Sequence, residues 1–265
     1  MSVTEDLLFS VSDAGVATIT LNRPDKRNAF TDEMIARWVE LLGECQQRND
    51  VRVVVFAAAG KSFCSGADTG RMAGRTEQTV IEARDRMTAV AHSLVRAVAR
   101  LDKPVIAAVN GAAVGGGMDV ALMCDIRVAS SEAKFAETYA KMGLLPGVGG
   151  AWFLPRIIGK SKALDMFWTG RWVDINEAER LGLVDRVFAA ETFAADVTDY
   201  AEQIASAAPL SVKAIKKLVN HGGQTTLDVH LDDLAAQLAV VRTSEDHKEA
   251  VAALKDKRAP QFNGR

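Results

Sequence analysis

The sequence predicts an α/β core followed by a helical C-terminal region. Two observations carry that prediction. Strand-length apolar runs alternate with helix-patterned segments as far as Val187, and from Glu191 onward a helical pattern runs on with no strand signal. Such alternation points to a layered domain around a buried, mostly parallel sheet. The expected division is an α/β core over 1–200 and a helical region over 201–265.

In chain order, Val16-Ala17-Thr18-Ile19-Thr20-Leu21 alternates and is β-branched, which predicts a strand. The polar stretch Asn22–Asn28 reads as a turn. Thr31 is placed to cap a helix with Asp32 and Glu33 in its first turn and Met34, Trp38, Leu41 and Leu42 on one face. Val51–Ala58 is a continuous apolar run of strand length, suited to a sheet buried on both faces. A helical pattern runs from about Thr76 to Arg100 and stops at Lys103-Pro104. Pro104–Val109 is a second buried strand, Asp125–Ala129 another, and Val184–Val187 a short final one.

Composition narrows the function classes. Apolar residues make up 48% of the 265 and charged residues 25%, as in ordinary globular proteins. A formal net charge of −2 gives no electrostatic case for nucleic acid or an anionic membrane. Cys45, Cys64 and Cys124 are odd in number and lack ligand spacing, as do the four histidines, so neither a disulfide framework nor a metal site is expected. The most apolar stretch, Pro104–Cys124, holds Asn110, Asp119 and four glycines, which suits a buried strand–loop–helix better than a membrane span. The acidic N-terminus lacks the order of a signal peptide, so a cytoplasmic location is expected.

Two glycine loops, each following a buried strand, carry the candidate chemistry. One is Ser65-Gly66-Ala67-Asp68; the other is Val114-Gly115-Gly116-Gly117-Met118-Asp119. Glycine permits a turn that bares backbone N–H groups and lets a ligand approach closely. A helix beginning just after such a turn adds further unsatisfied N–H groups. That combination suits an oxygen gaining negative charge, and removing one such donor costs on the order of 10²–10³ in rate. Either loop alone is equally readable as a tight packing turn. No phosphate loop, dinucleotide fingerprint or nucleophile elbow competes.

Taken together, the motifs resemble the enoyl-CoA hydratase/isomerase (crotonase) superfamily. The resemblance includes Leu21-Asn22-Arg23-Pro24 with Asn28-Ala29, Phe63-Cys64-Ser65-Gly66-Ala67-Asp68 and Pro104–Gly111. It continues through Gly115-Gly116-Gly117, Cys124-Asp125, Gly143-Leu144-Leu145-Pro146-Gly147 and Gly170 to Lys257-Arg258 and Phe262. It implies a spiral of ββα units, a homotrimer or dimer of trimers assembled through the helical tail, and an acyl-CoA thioester substrate. CoA would belong to that substrate, with no separate cofactor. By matching position, the amides of Ala67 and Gly116 would hold a thioester enolate.

Relatives that hydrate enoyl thioesters place two glutamates across the substrate. Here those positions fall on Asp119 and Tyr139, which puts hydration in doubt and leaves isomerisation, C–C hydrolysis, decarboxylation or non-catalytic acyl-CoA binding open. Asp119 keeps a carboxylate, either as the remaining acid/base or as a helix-start carboxylate satisfying its own backbone. Tyr139 is expected as a neutral donor or as an aromatic filler. Glu137 is expected to point elsewhere, because residues two apart on a helix do not share a face. The resemblance also assigns Lys26, Arg27, Ser65, Ala67, Asp68, Arg71, Gly115, Lys257 and Phe262 to CoA or substrate binding, the last two in a C-terminal region that in relatives sometimes reaches CoA from a neighbouring subunit. Residues 71–95 would wall the acyl pocket, and Trp152, Trp168 and Trp172 are expected in packing roles.

Overall fold

The computed structural model describes residues 3–71 and 78–265, with side chains for residues 5–70 and 78–265. The chain opens with a one-turn helix α1 (Val3–Asp6) and the hairpin β1 (Leu7–Val11) and β2 (Val16–Leu21). Helix α2 (Asp32–Gln47) leads to β3 (Val53–Ala58) and the short β4 (Ser62–Cys64), then to α3 (Val80–Ala89) and α4 (Ala91–Arg100). The order long strand, short strand, helix recurs in β5 (Val105–Val109), β6 (Ala112–Val114) and α5 (Gly116–Leu122). It recurs again in β7 (Ile126–Ser130) and β8 (Lys134–Ala136), followed by a 3-10 turn at Tyr139–Met142, α6 (Gly150–Ile158) and α7 (Lys160–Thr169). Then come β9 (Trp172–Asp174), α8 (Ile175–Leu181), β10 (Arg186–Phe188) and four helices: α9 (Phe193–Ala205), α10 (Pro209–Gly222), α11 (Leu227–Thr243) and α12 (Glu245–Asp256).

The long strands form a six-stranded sheet ordered β1-β2-β3-β5-β7-β10, antiparallel at β1–β2 and parallel elsewhere. The short strands form a second sheet, β4-β6-β8-β9, with β9 antiparallel to β8. The chain therefore visits both sheets on each turn, and the fold is the α/β spiral of ββα units that the motifs implied.

The larger sheet is covered on both faces, which is why its strands read as unbroken apolar runs. Every residue of β5 is buried. On one face α2 packs Met34, Ile35, Trp38, Leu41 and Leu42 against the sheet. Trp38 meets Phe56 of β3 edge-on at 4.8 Å. The Thr31 hydroxyl accepts the Met34 N–H and fixes the start of this helix. On the other face Phe193, Val197, Ala201 and Ala205 of α9 cover Val53, Val55, Ile106 and Val128. Residue 200 thus falls inside a helix that belongs to the core packing.

Several expectations need correction. The second sheet and β1 are additional to the predicted strands, and the final strand lies two residues beyond its predicted start. The segment Thr76–Arg100 is two helices, the first capped by Thr79 with Glu82 and ending at Ala89; its expected start lies outside the described residues. Trp152, Trp168 and Trp172 do not fill the core, being 56%, 71% and 50% exposed. Trp152 stacks under the Arg156 guanidinium and Trp172 under the Lys134 ammonium, so both pack against cations at the surface. Among the described residues, no helix is long and apolar enough to cross a membrane.

Candidate active site

The site begins at the turn before α2. Asn28 is fully buried with a left-handed backbone, φ 55°. Its amide donates to the Ala59 and Ser62 carbonyls, and its oxygen accepts the Arg23 N–H. This clamp ties the turn to the β3–β4 connection. The Ser65 amide donates to the Arg27 carbonyl at 3.0 Å, and its hydroxyl to the Lys26 carbonyl at 3.5 Å. Exposed Lys26 and Arg27 are thereby brought to the rim beside Ser65. Asp68 is engaged within the protein: it pairs with Arg23 at 3.1 Å and accepts the Gly70 N–H.

The two glycine loops lie against each other. Phe30 donates its N–H to the Gly66 carbonyl and accepts from the Asp68 amide. In such a bridge the intervening residue turns its own N–H to the opposite side, so the Ala67 amide points away from Phe30. Gly66 has φ 90°, and a Cβ there would sit 3.2 Å from the Gly116 nitrogen. Gly116 opens α5, so its N–H has no carbonyl partner within the helix. Among the described residues, neither the Ala67 nor the Gly116 amide donates a hydrogen bond. Because α5 is only seven residues long, these local N–H groups matter more than any helix dipole. Gly115, at φ 50°, makes the turn that presents them.

Asp119, in the first turn of α5, has no exposed surface. Its carboxylate is not satisfied by its own helix start. Oδ2 accepts the Tyr139 hydroxyl at 2.6 Å and the Val148 amide at 3.1 Å. Oδ1 lies so close to Gly150 that a Cβ there would meet it at 1.9 Å. Burial raises the Asp119 pKa to about 6, against the lowering effect of these hydrogen bonds, so the carboxylate is mostly ionised at neutral pH. Tyr139 is pushed above the ordinary phenol range by burial and by the Asp119 charge, which keeps it a neutral donor. Its ring comes within 3.9 Å of where a Gly115 Cβ would stand, so the phenol spans from the glycine loop to the carboxylate.

Glu137 overturns its expectation. It is fully buried and faces Asp119 within hydrogen-bonding reach. The physical reason is local geometry. Glu137 directly follows strand β8, outside the 3-10 turn that begins at Tyr139, so the helical rule for residues two apart does not govern where it points. Val148 and Gly150 were also missed. Their signal was the Gly149-Gly150 pair opening a helix, where a side chain would exclude a neighbour.

Other assigned residues lie apart. The Arg71 side chain is outside the described residues. Phe262 is held at the far end of the core: its carbonyl and that of Ala205 accept from Arg52, just before β3. The glycine loops follow the opposite end of that strand, roughly 20 Å away, so within one chain Phe262 does not reach them. Lys257, left-handed at φ 54°, ends α12 near the same tail. Met87 of α3 and Val95 of α4 lie next to Gly147 and Gly149, walling the side of the site near Asp119. Among the described residues, no cluster of His, Cys, Asp and Glu could hold a metal ion. All three cysteines are buried and their thiols raised, Cys64 to about 12.

Comparison with known proteins places this geometry among acyl-CoA enzymes. The family model "Enoyl-CoA hydratase/isomerase" matches residues 12–265. The chain is 35% identical to the 1,2-epoxyphenylacetyl-CoA isomerase of Escherichia coli K12, across 98% of this chain and 99% of that one. It is 39% identical to the (E)-benzylidenesuccinyl-CoA hydratase of Thauera aromatica, across 94% and 96%. The crystal structure of an enoyl-CoA hydratase from Bacillus anthracis superposes with TM-score 0.91 at 31% identity, covering 98% of this chain and all of that one. The chain belongs to the enoyl-CoA hydratase/isomerase family, the crotonase superfamily.

Proposed function

We propose that this enzyme moves a proton on an acyl-CoA thioester, shifting a double bond through an enolate, rather than adding water to the conjugated thioester. The observation that carries this reading is the makeup of the pair beside the glycine loops. It holds one ionised carboxylate, Asp119, hydrogen-bonded to a neutral phenol, Tyr139. A single base with a neutral donor suffices to take a proton at the α or γ carbon and return it at the other. Tyr139 stands where a second carboxylate would position water for addition, and the neighbouring Glu137 faces Asp119. The amides of Ala67 and Gly116 would hold the enolate oxygen, where fixed donors act without reorganising. Lys26, Arg27 and Ser65 would meet the CoA moiety at the rim. CoA enters as part of the substrate, with no separate cofactor. The relatives named above include both an isomerase and a hydratase, so the reading rests on the residues of this chain.

The test is to supply crotonyl-CoA and a 3-enoyl-CoA and follow the absorbance of the conjugated thioester. Conversion of the 3-enoyl substrate, with crotonyl-CoA left largely unhydrated, is expected. Asp119→Asn should lower that rate by about 10²–10⁴. Because Asp119 acts ionised, activity should fall as pH drops through about 6. Rapid hydration of crotonyl-CoA would overturn the isomerase assignment. Turnover of neither substrate, with tight CoA binding retained, would favour a hydrolase, a decarboxylase or a binding protein.

A further inference from the structure

We infer that Glu137 is a neutral carboxylic acid that donates its O–H to Asp119 Oδ1, and that it acts as a positioning residue setting the orientation and basicity of that carboxylate. The inference rests on the reading of Asp119 as the acid/base. Its ground is a defect in the hydrogen-bond pattern. Taken as carboxylates, which only accept, both Glu137 oxygens are buried without a hydrogen-bond partner among the described residues, and Asp119 Oδ1 has beside it only the Gly150 amide, short of good hydrogen-bond geometry. Buried polar atoms are rarely orphaned, and three clustered together call for one explanation.

One proton supplies it. Placed on Glu137, it converts an acceptor into a donor that faces Asp119 and satisfies Oδ1 together with one Glu137 oxygen. The alternative places two negative charges in contact, both fully buried. Two such carboxylates do not both ionise without a compensating cation. The charged group acting on Glu137 is Asp119, from α5; Tyr139, from the turn after β8, faces both as a neutral phenol. Among the described residues, no basic side chain acts on Glu137. Burial and the Asp119 charge push Glu137 well above the usual carboxylate range, whereas the hydrogen bonds that Tyr139 and Val148 donate work against the rise of Asp119, which puts the shared proton on the glutamate at neutral pH. Asp119 is thus held from both sides. Tyr139 and Val148 donate to Oδ2, and Glu137 donates to Oδ1.

Two readouts test this. The first is infrared difference spectroscopy of the wild-type protein at about pH 8, where ordinary carboxyls are ionised. A protonated-carboxyl stretch is expected, absent from Glu137→Gln and moved to higher frequency in Asp119→Asn, where the carboxylate acceptor is gone. The second is exchange of the α-protons of butyryl-CoA into heavy water, measured against pH. Glu137→Gln keeps an N–H donor and should leave the acid limb in place. Glu137→Leu removes the donor and should move it up by roughly one pH unit. A limb that moves down in Glu137→Gln would show that Glu137 is charged and overturn the inference. So would a limb unmoved in both variants, or a spectrum without the band. If the band is present but wild-type protein exchanges no α-proton, the acid/base reading of Asp119 fails while the Glu137 hydrogen bond stands.

Discussion

At Gly150 one missing carbon decides where Asp119 can sit, since an added Cβ would lie 1.9 Å from Oδ1 and 2.9 Å from Cγ. Both contacts are far inside van der Waals range, so the carboxylate would have to swing away and give up its bonds to Tyr139 and Val148. Gly150→Ala is therefore expected to cut turnover by about 10²-fold, the loss typical of a misplaced catalytic group. Thermal unfolding should change little if the carboxylate alone moves; circular dichroism melts beside the 3-enoyl-CoA assay check this. A variant with wild-type turnover would show that Asp119 can work from another position. At this scale the sequence was partly legible. Spacing from the triple glycine identified Asp119 and Tyr139, and the structure joins them at 2.6 Å. Glu137 was misread because a helical period was applied to residues leaving a strand.

Among the elements, legibility followed strand length and burial. The strands β2, β3, β5 and β7 are five or six residues long and largely buried, so their side chains alone announce them. The strands of the second sheet have three residues each, too few for any period to show. Yet this sheet brings the loops together. β4 leads into Gly66, β6 into Gly115, and β8 into Glu137 and Tyr139. These units touch at Gly117, where a Cβ would meet the Cys64 carbonyl at 2.1 Å and Cys64 Cβ at 2.7 Å. Backbone on one side and helix on the other leave nothing flexible to give way. Gly117→Ala should drive α5 off β4, separating the Ala67 and Gly116 amides. We expect a destabilisation of about 1–3 kcal/mol, read from urea unfolding, and loss of turnover even at temperatures where the variant stays folded. Retained turnover in a destabilised variant would mean that the amide spacing is not critical.

For the whole molecule, the C-terminal helices leave a surface that one chain does not explain. Helix α11 buries none of its residues, yet it exposes Leu227, Val229, Leu231, Leu238 and Val240. An apolar face of this extent marks an interaction site. We propose that copies of this chain cover it, as a trimer or a dimer of trimers. The same assembly would resolve the placement of the tail. Phe262 sits at the wrong end of its own core, so it and Lys257 would meet CoA only at a neighbouring copy's site. The double variant Leu231→Lys, Leu238→Lys should sediment as a smaller species than wild type in analytical ultracentrifugation. If the tail serves the neighbouring site, CoA affinity should fall by about tenfold, roughly 1.4 kcal/mol, in the dissociated variant. The infrared band of the Glu137–Asp119 pair, internal to each chain, should be unaltered. A wild-type protein that sediments as a monomer would remove the assembly, and undiminished CoA affinity in the dissociated variant would return Lys257 and Phe262 to a purely structural role.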